Sequence, residues 1–228
     1  MSPDAITAAG IRNRAARMGQ IERLQPTREA AKVKRAELEA KREGLNSKRE
    51  GFATMARFLQ VPNFFPTPGH IVERMIRLAD LRVGQTVLEP SAGKGDIARA
   101  VLAAGVTADL LQCVELNHGL GCHLIGLGFN VWRGDFLDYA PDHLFDRVVM
   151  NPPFERGADH LHVLHAFEFL KPGGRLVAVV SNTTGHQLEQ WADDHAGWVA
   201  NLPEDTFRNS ERPTGVQTSL VVADKNSP

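Results

Sequence analysis

Apolar residues in this chain fall into short runs divided by polar and glycine-rich breaks, and the runs alternate between two periods. Ile71, Val72, Met75, Ile76 and Ala79 recur at helical spacing and predict an amphipathic helix over 68–80, with Thr67 as its cap and Pro68 in its first turn. A short buried strand is predicted over 86–88, followed by a helix over 97–104. Strands over 110–114 and 130–132 flank a helix over 119–127. Val148 to Met150 is too short for a helix and rich in valine, so it reads as a buried strand that ends at Asn151-Pro152-Pro153-Phe154. Neither proline can donate to a ladder. A helix follows over 157–170, with Leu161, Leu164 and Phe167 on one face. Lys171-Pro172-Gly173-Gly174 reads as a turn. Strands over 175–181, 198–202 and 218–223 and a helix over 187–195 complete the pattern, with polar segments at 181–186 and 207–215. Alternating strands and helices, several strands apolar throughout, predict an α/β fold. Its core is a doubly wound, mainly parallel sheet covered on both faces.

The N-terminal quarter differs. Residues 27–50 are strong helix formers, and 52–59 form a second, shorter amphipathic helix. Ala31, Leu38 and Leu45 recur every seven residues among charged neighbours, which makes only a weak coiled-coil seam. The predicted organisation is a basic helical extension over 1–60 and one domain over 61–228. Residues 1–57 carry 13 Lys and Arg against 7 Asp and Glu, and the remaining residues carry 13 against 20. The extension is therefore either a solvated helix laced by pairs such as Glu37–Lys41 or a basic arm lying along nucleic-acid phosphates. Hydrophobic content of 43% and charged content of 23% are ordinary for a globular protein. Two cysteines give no disulfide framework, and both are expected in the core. With no secretory pattern at the N-terminus and no apolar run approaching the ~20 residues of a membrane span, a cytoplasmic protein without membrane contact is expected.

Chemistry concentrates at the ends of four strands. Glu89, Glu115, Asp135 and Asn151 each follow an apolar strand, at the edge where open α/β sheets bind ligands. Asn151-Pro152-Pro153-Phe154 offers two rigid acceptors and a flat ring, which suits a planar substrate bearing an amino group. Gly93-Lys94-Gly95 suggests a nucleotide-like ligand, with Glu115 placed to take ribose hydroxyls. A phosphate loop is excluded, because Leu88 stands where its first glycine belongs and Asp96 follows Gly95. Glu89 would repel a pyrophosphate and suits a ligand carrying a cation. S-Adenosyl-L-methionine, a nucleoside bearing an amino-acid chain, meets these requirements. Glu89 would then lie near the methionine portion, and Asp135 and Phe136 near the adenine. His160, His162 and His165 cluster on one predicted helix, but not all on one face. They are expected to be surface or substrate-side groups, and no metal is required.

These residues resemble the class I S-adenosylmethionine-dependent methyltransferases, in particular the gamma-order N6-adenine DNA methyltransferases, over about Phe65 to Asp224. Phe65-Pro66-Thr67-Pro68 is similar to the segment that contacts the cofactor's carboxylate end. The stretch from Val87 to Gly95, with Ser91, Gly93 and Gly95, resembles the cofactor motif, and Asp146 to Phe154 resembles the catalytic motif. The resemblance implies a Rossmann-like methyltransferase fold and S-adenosyl-L-methionine as cofactor. It also implies that Asn151 and Pro152 accept the two N–H bonds of an adenine amine while Phe154 stacks on the base flipped from duplex DNA. An adenine in RNA and a glutamine amide in protein are the alternative substrates, and a non-catalytic binding module is the alternative of another class. The family often adds a recognition domain of substantial size, and no such segment stands in this sequence. The two polar segments, the basic extension or the second subunit of a homodimer are therefore expected to grip the substrate.

Overall fold

The computed structural model describes residues 65–208 and 214–226. The helices expected over 27–50 and 52–59, the boundary near residue 60 and the middle of the 207–215 segment lie outside them. Seven strands form one sheet: β1 (Val87–Glu89), β2 (Leu111–Glu115), β3 (Asn130–Arg133), β4 (Phe145–Met150), β5 (Leu170–Ser181), β6 (Trp198–Asn201) and β7 (Thr218–Asp224). Their spatial order is β3-β2-β1-β4-β5-β7-β6. The first five run parallel, and β7 lies antiparallel between β5 and β6. The expected mainly parallel, doubly wound sheet is present. From β1 the chain turns outward to β2 and β3, then returns to place β4 on the other side. The β1–β4 junction is thus the switch point at which a crevice opens.

Both faces of the sheet are buried, because successive side chains on a strand point to opposite faces. Val87, Cys113, Val149, Val177, Val179 and Leu220 enter one core. Leu88, Val114, Val148, Met150, Ala178 and Val180 enter the other. The first core is covered by α1 (Gly69–Ala79), α2 (Asp96–Ala103) and α3 (His118–Gly126), and the second by α4 (Ala158–Glu168) and α5 (Asn182–Asp194).

Several expectations shift. Thr67 caps nothing. The helix opens at Gly69 behind Pro68 with no side-chain cap, and the Thr67 hydroxyl instead accepts from Asn151 Nδ2 at 2.9 Å. The expected turn at 171–174 lies inside β5: Gly173 N–H donates to Lys225 O and Lys225 N–H to Gly174 O, so the irregular backbone stays paired. The 181–186 segment is not a loop. Ser181 caps α5, accepting from Thr184 N, and the helix starts five residues before its predicted origin. On α4 the buried face is Asp159, His162, Val163, Ala166 and Phe167. Leu161, expected in the core, is 56% exposed. Two polar residues occupy core positions there, which disguised the periodicity. Cys122 is exposed, whereas Cys113 is buried as expected.

Two polar anchors hold the frame in place. The far end of α1 is tied to the sheet by arginines: Arg147 Nε donates to Ala79 O at 2.6 Å and Arg175 Nη1 to Leu78 O at 3.1 Å. Arg175 is itself fixed by a two-pronged pair with Asp224. Cations at a helix C-terminus also meet its dipole favourably. The second anchor is the fully buried Asp159. Its carboxylate accepts from Ser181 N (2.8 Å), Ser181 Oγ (2.7 Å) and Thr184 Oγ1 (2.8 Å), joining α4 to the end of β5 and the start of α5. Removing it strands three donors, two on the half-buried Ser181 and one on the buried Thr184. Asp159→Ala is therefore expected to lose about 2–4 kcal/mol in urea unfolding. The exposed Asp193→Ala should change stability by less than about 0.5 kcal/mol. Equal losses would show that the network carries no special share of stability.

Candidate active site

The four polar strand ends lie together because β1 to β4 are parallel neighbours. Glu89 and Glu115 close β1 and β2, Asp135 stands two residues beyond β3, and Asn151 one beyond β4. All four line one cavity of about 970 Å³, as do Phe65, Thr67, Ser91, Gly93, Phe136, Pro152 and Phe154. Gly95 does not. Its φ of 86° and an approach that would bring an added Cβ within 2.8 Å of Leu124 Cδ2 explain the glycine by turn and packing. The cavity also takes in residues that the sequence did not mark for it, among them Leu116, Asn117, Leu137 and Leu161, together with His162 of the histidine cluster. Leu116 is 70% exposed and Leu161 56%. Large apolar side chains left open at a cavity wall are the signal for them, visible only once burial is known.

Glu115 organises the glycine loop. One carboxylate oxygen accepts from Gly93 N at 2.7 Å and the other from Asn117 N at 2.7 Å. Burial raises its pKa, and those two bonds oppose the rise. Each oxygen keeps a further lone pair for a ligand hydroxyl. Asp135 Oδ1 accepts from Leu137 N at 3.0 Å and caps a short 3₁₀ turn, Phe136–Asp138. Glu89 is 1% exposed, and its nearest side-chain partner is the Cys113 thiol, with Sγ 3.9 Å from Oε2. Desolvation pushes its pKa well above the ordinary value. Asp96 and Glu115 push the same way, and Arg99 only partly opposes them. Arg99 is already engaged with Asp96 at 2.6 Å. A buried carboxyl beside a cavity, crowded by two acids, is suited to receive a cationic group.

Asn151 is held in one orientation. Its Nδ2 donates to Phe65 O at 3.2 Å and to Thr67 Oγ1 at 2.9 Å. The amide oxygen is consequently turned the other way, where it is buried with no hydrogen-bond partner. The sequence marked Phe65 and Thr67 as ligand contacts. That they also orient Asn151 follows only from α1 lying across the end of β4. Beside Asn151, the Phe154 ring lies 6.3 Å from Phe65 at an interplanar angle of 18° and meets Phe207 edge-on at 6.1 Å. Phe207 went unmarked because it lies far along the chain in a polar segment. The histidines depart from expectation as well: His162 is buried. Among the described residues no group of three or more metal-ligating side chains comes together.

The site is a cavity roomy enough for a nucleoside with a side chain, lined by Glu89, Glu115 and Asp135, by an asparagine whose amide oxygen has no partner and by an aromatic ring. Residues 74–191 match the family model of the methyltransferase small domain. A proposed RNA methyltransferase from Pyrococcus horikoshii shares the fold at 23% identity, with a TM-score of 0.56 over 74% of this chain and 88% of that one. The modification subunit of a proposed type I restriction enzyme from Vibrio vulnificus YJ016 shares it at 18% identity, with a TM-score of 0.55 over 72% of this chain and 45% of that one. Ribosomal RNA small subunit methyltransferase A of Synechococcus sp. (strain CC9605) is 31% identical over 93 residues, 37% of this chain. The match spans 33% of that relative's length. No helix among the described residues is long and apolar enough to cross a membrane.

Glu89 gives a test of the site's electrostatics. Its folded pKa lies above the unfolded value, so the folded chain holds a proton that the unfolded chain releases as pH rises past about 4.3. Folding stability therefore falls with pH between the two values. Glu89→Gln mimics the protonated acid and removes this loss. It should unfold at the wild-type temperature near pH 4 and be more stable by at least about 1 kcal/mol at pH 7.5. A gap that stays flat from pH 4 to 7.5 would contradict the assignment.

Proposed function

The chain belongs to the methyltransferase small domain family, whose methyl donor is S-adenosyl-L-methionine, and we propose that it methylates the N6 amino group of adenine in DNA. The observation that carries this reading is the buried, unpartnered Oδ1 of Asn151, a cavity-lining residue fixed by Phe65 and Thr67. An unsatisfied buried acceptor costs about 1–3 kcal/mol, so a substrate N–H that reaches it is bound with that penalty relieved. The cofactor fits the residues present: a glycine loop, an acid with lone pairs to spare for hydroxyls, and a buried carboxyl that lacks a cation.

The cofactor when bound supplies an electrophilic methyl group on a sulfonium. The chain's residues do the rest. Glu89 would face the methionine portion and would ionise beside its ammonium. Glu115 would take the ribose, the second oxygen of Asp135 would accept from the adenine amine, and Phe136 and Leu116 would cover the base. For the substrate, Asn151 Oδ1 and the Pro152 carbonyl accept the two N–H bonds of the exocyclic amine. That draws the nitrogen toward tetrahedral geometry and aims its lone pair at the methyl group, with positioning supplying much of the rate. The prolines keep both acceptors preorganised. Phe154, steadied by Phe65 and Phe207, offers a stacking face to a base that must leave the duplex. Asn151 aligns an amine and abstracts nothing.

A second reading changes only the polymer. The likeness to a ribosomal RNA methyltransferase over 93 residues favours RNA, whose unpaired adenines need no flipping. Labelled S-adenosyl-L-methionine incubated separately with duplex DNA, structured RNA and cell protein decides between them. DNA labelled at N6 of adenine supports the first reading, RNA labelled at the same atom the second, and label in protein alone removes both. In whichever substrate reacts, Asn151→Ala is expected to lower kcat by at least about 10²-fold while S-adenosyl-L-homocysteine still binds. Substantial remaining turnover would refute the role given to Asn151.

A further inference from the structure

His162 is a buried titratable group that the mechanism above leaves without work. It is 7% exposed, its Nδ1 is sealed from solvent and has no partner, and its ring forms part of the cavity wall beside Gly134, Asp135, Phe136 and Leu137. Its neighbours are spoken for. Asp159 is taken by Ser181 and Thr184, His165 Nε2 lies 3.3 Å from Tyr139 O, and Asp135 caps the following turn. The Phe136 ring fixes the imidazole plane, with centroids 5.4 Å apart and tilted by 55°. Burial holds the imidazole pKa below its ordinary value. Asp135 and Asp159 work against this and His165 works with it. The ring therefore enters the site neutral, with one nitrogen able to donate and the other to accept.

We propose that His162 is a hydrogen-bonding contact for the nucleobase of the cofactor and helps this cavity select adenine. The proposal rests on the reading of the cavity as a cofactor site. Three things argue for a planar, nitrogen-rich ligand here. The ring has no hydrogen-bond partner in the protein, and with Nδ1 sealed it is Nε2 that is left for a ligand in the cavity it lines. It stands at the wall formed by Asp135 and Phe136, the pair assigned to the adenine. It also occupies a core-face position of α4, where an apolar residue would pack without penalty, so the polarity is retained at a cost. Adenine carries ring nitrogens that accept and an amine that donates, so it can satisfy either tautomer. A hydroxyl-bearing chain would leave the flat contact with Phe136 and Leu137 empty.

The test is calorimetric binding of S-adenosyl-L-homocysteine to the full chain. The probes are that compound and its 1-deaza, 3-deaza and 7-deaza forms. His162→Phe keeps the ring contact with Phe136 and removes both nitrogens, and it should weaken binding of the parent compound about tenfold. One deaza form should show no further loss in the variant although it binds wild type more weakly, which identifies the paired ring nitrogen. His162→Gln, whose amide falls near the Nε2 position, should recover part of the affinity. The thermal unfolding temperature of each variant reports separately on folding. If wild type fails to bind the parent compound, the cofactor reading itself falls. If wild type binds and a folded His162→Phe binds equally well, or the loss is the same for all three deaza forms, the proposal is overturned.

Discussion

Asn151 has one orientation because its amide nitrogen is engaged by Phe65 O and Thr67 Oγ1, and everything at the mouth of the cavity depends on that constraint. A freely rotating carboxamide presents a donor or an acceptor, and the two are nearly interchangeable in shape. Here the donor end is used up, so only an acceptor faces the site. The constraint reaches back across the sheet. Thr67 precedes α1, whose other end is fixed by Arg147 and Arg175 to the edge opposite the site. The arginine ties and the amide bonds lie at the two ends of one helix, so the distant edge of the sheet helps set the angle of a side chain at the reacting edge.

The buried acids fall into two classes. Asp159 is sealed but surrounded by donors, and it joins α4, β5 and α5 into one unit. Glu89 is sealed with the Ala98 N–H and the Cys113 thiol as its hydrogen-bonding neighbours and two more acids close by. The first has the satisfied pattern that holds a fold together. The second has an uncompensated charge balance that a cationic group would relieve. Asn151 Oδ1 and His162 Nδ1 are neutral polar atoms buried without a hydrogen-bond partner. Asn151 and His162 both line the cavity.

Much of this was legible beforehand. The alternation of valine-rich runs with helical spacing foretold the parallel sheet, and the acidic strand ends pointed to the edge where the cavity lies. The misreadings share a cause. Thr67 was read as a cap, 181–186 as a loop and Leu161 as core, each from local preference. In the structure, Asn151 recruits the threonine, Asp159 stabilises the cap at Ser181, and Asp159 and His162 displace Leu161 from the buried face of α4. In each case a side chain 22 residues or more distant, or a buried polar group, overrode the local rule.

The sequence by itself determined the order of elements, the edge at which the cavity lies and the polar residue types that line it, because strand period, proline breaks and strand-end polarity are local properties. Tertiary structure alone decided which end of the Asn151 amide faces the cavity, which carboxylates are ionised, and that His162 lies in the wall rather than on the surface. Those depend on burial and on partners up to 86 residues away along the chain. Desolvation and hydrogen-bond geometry act through space, and no reading along the chain contains them.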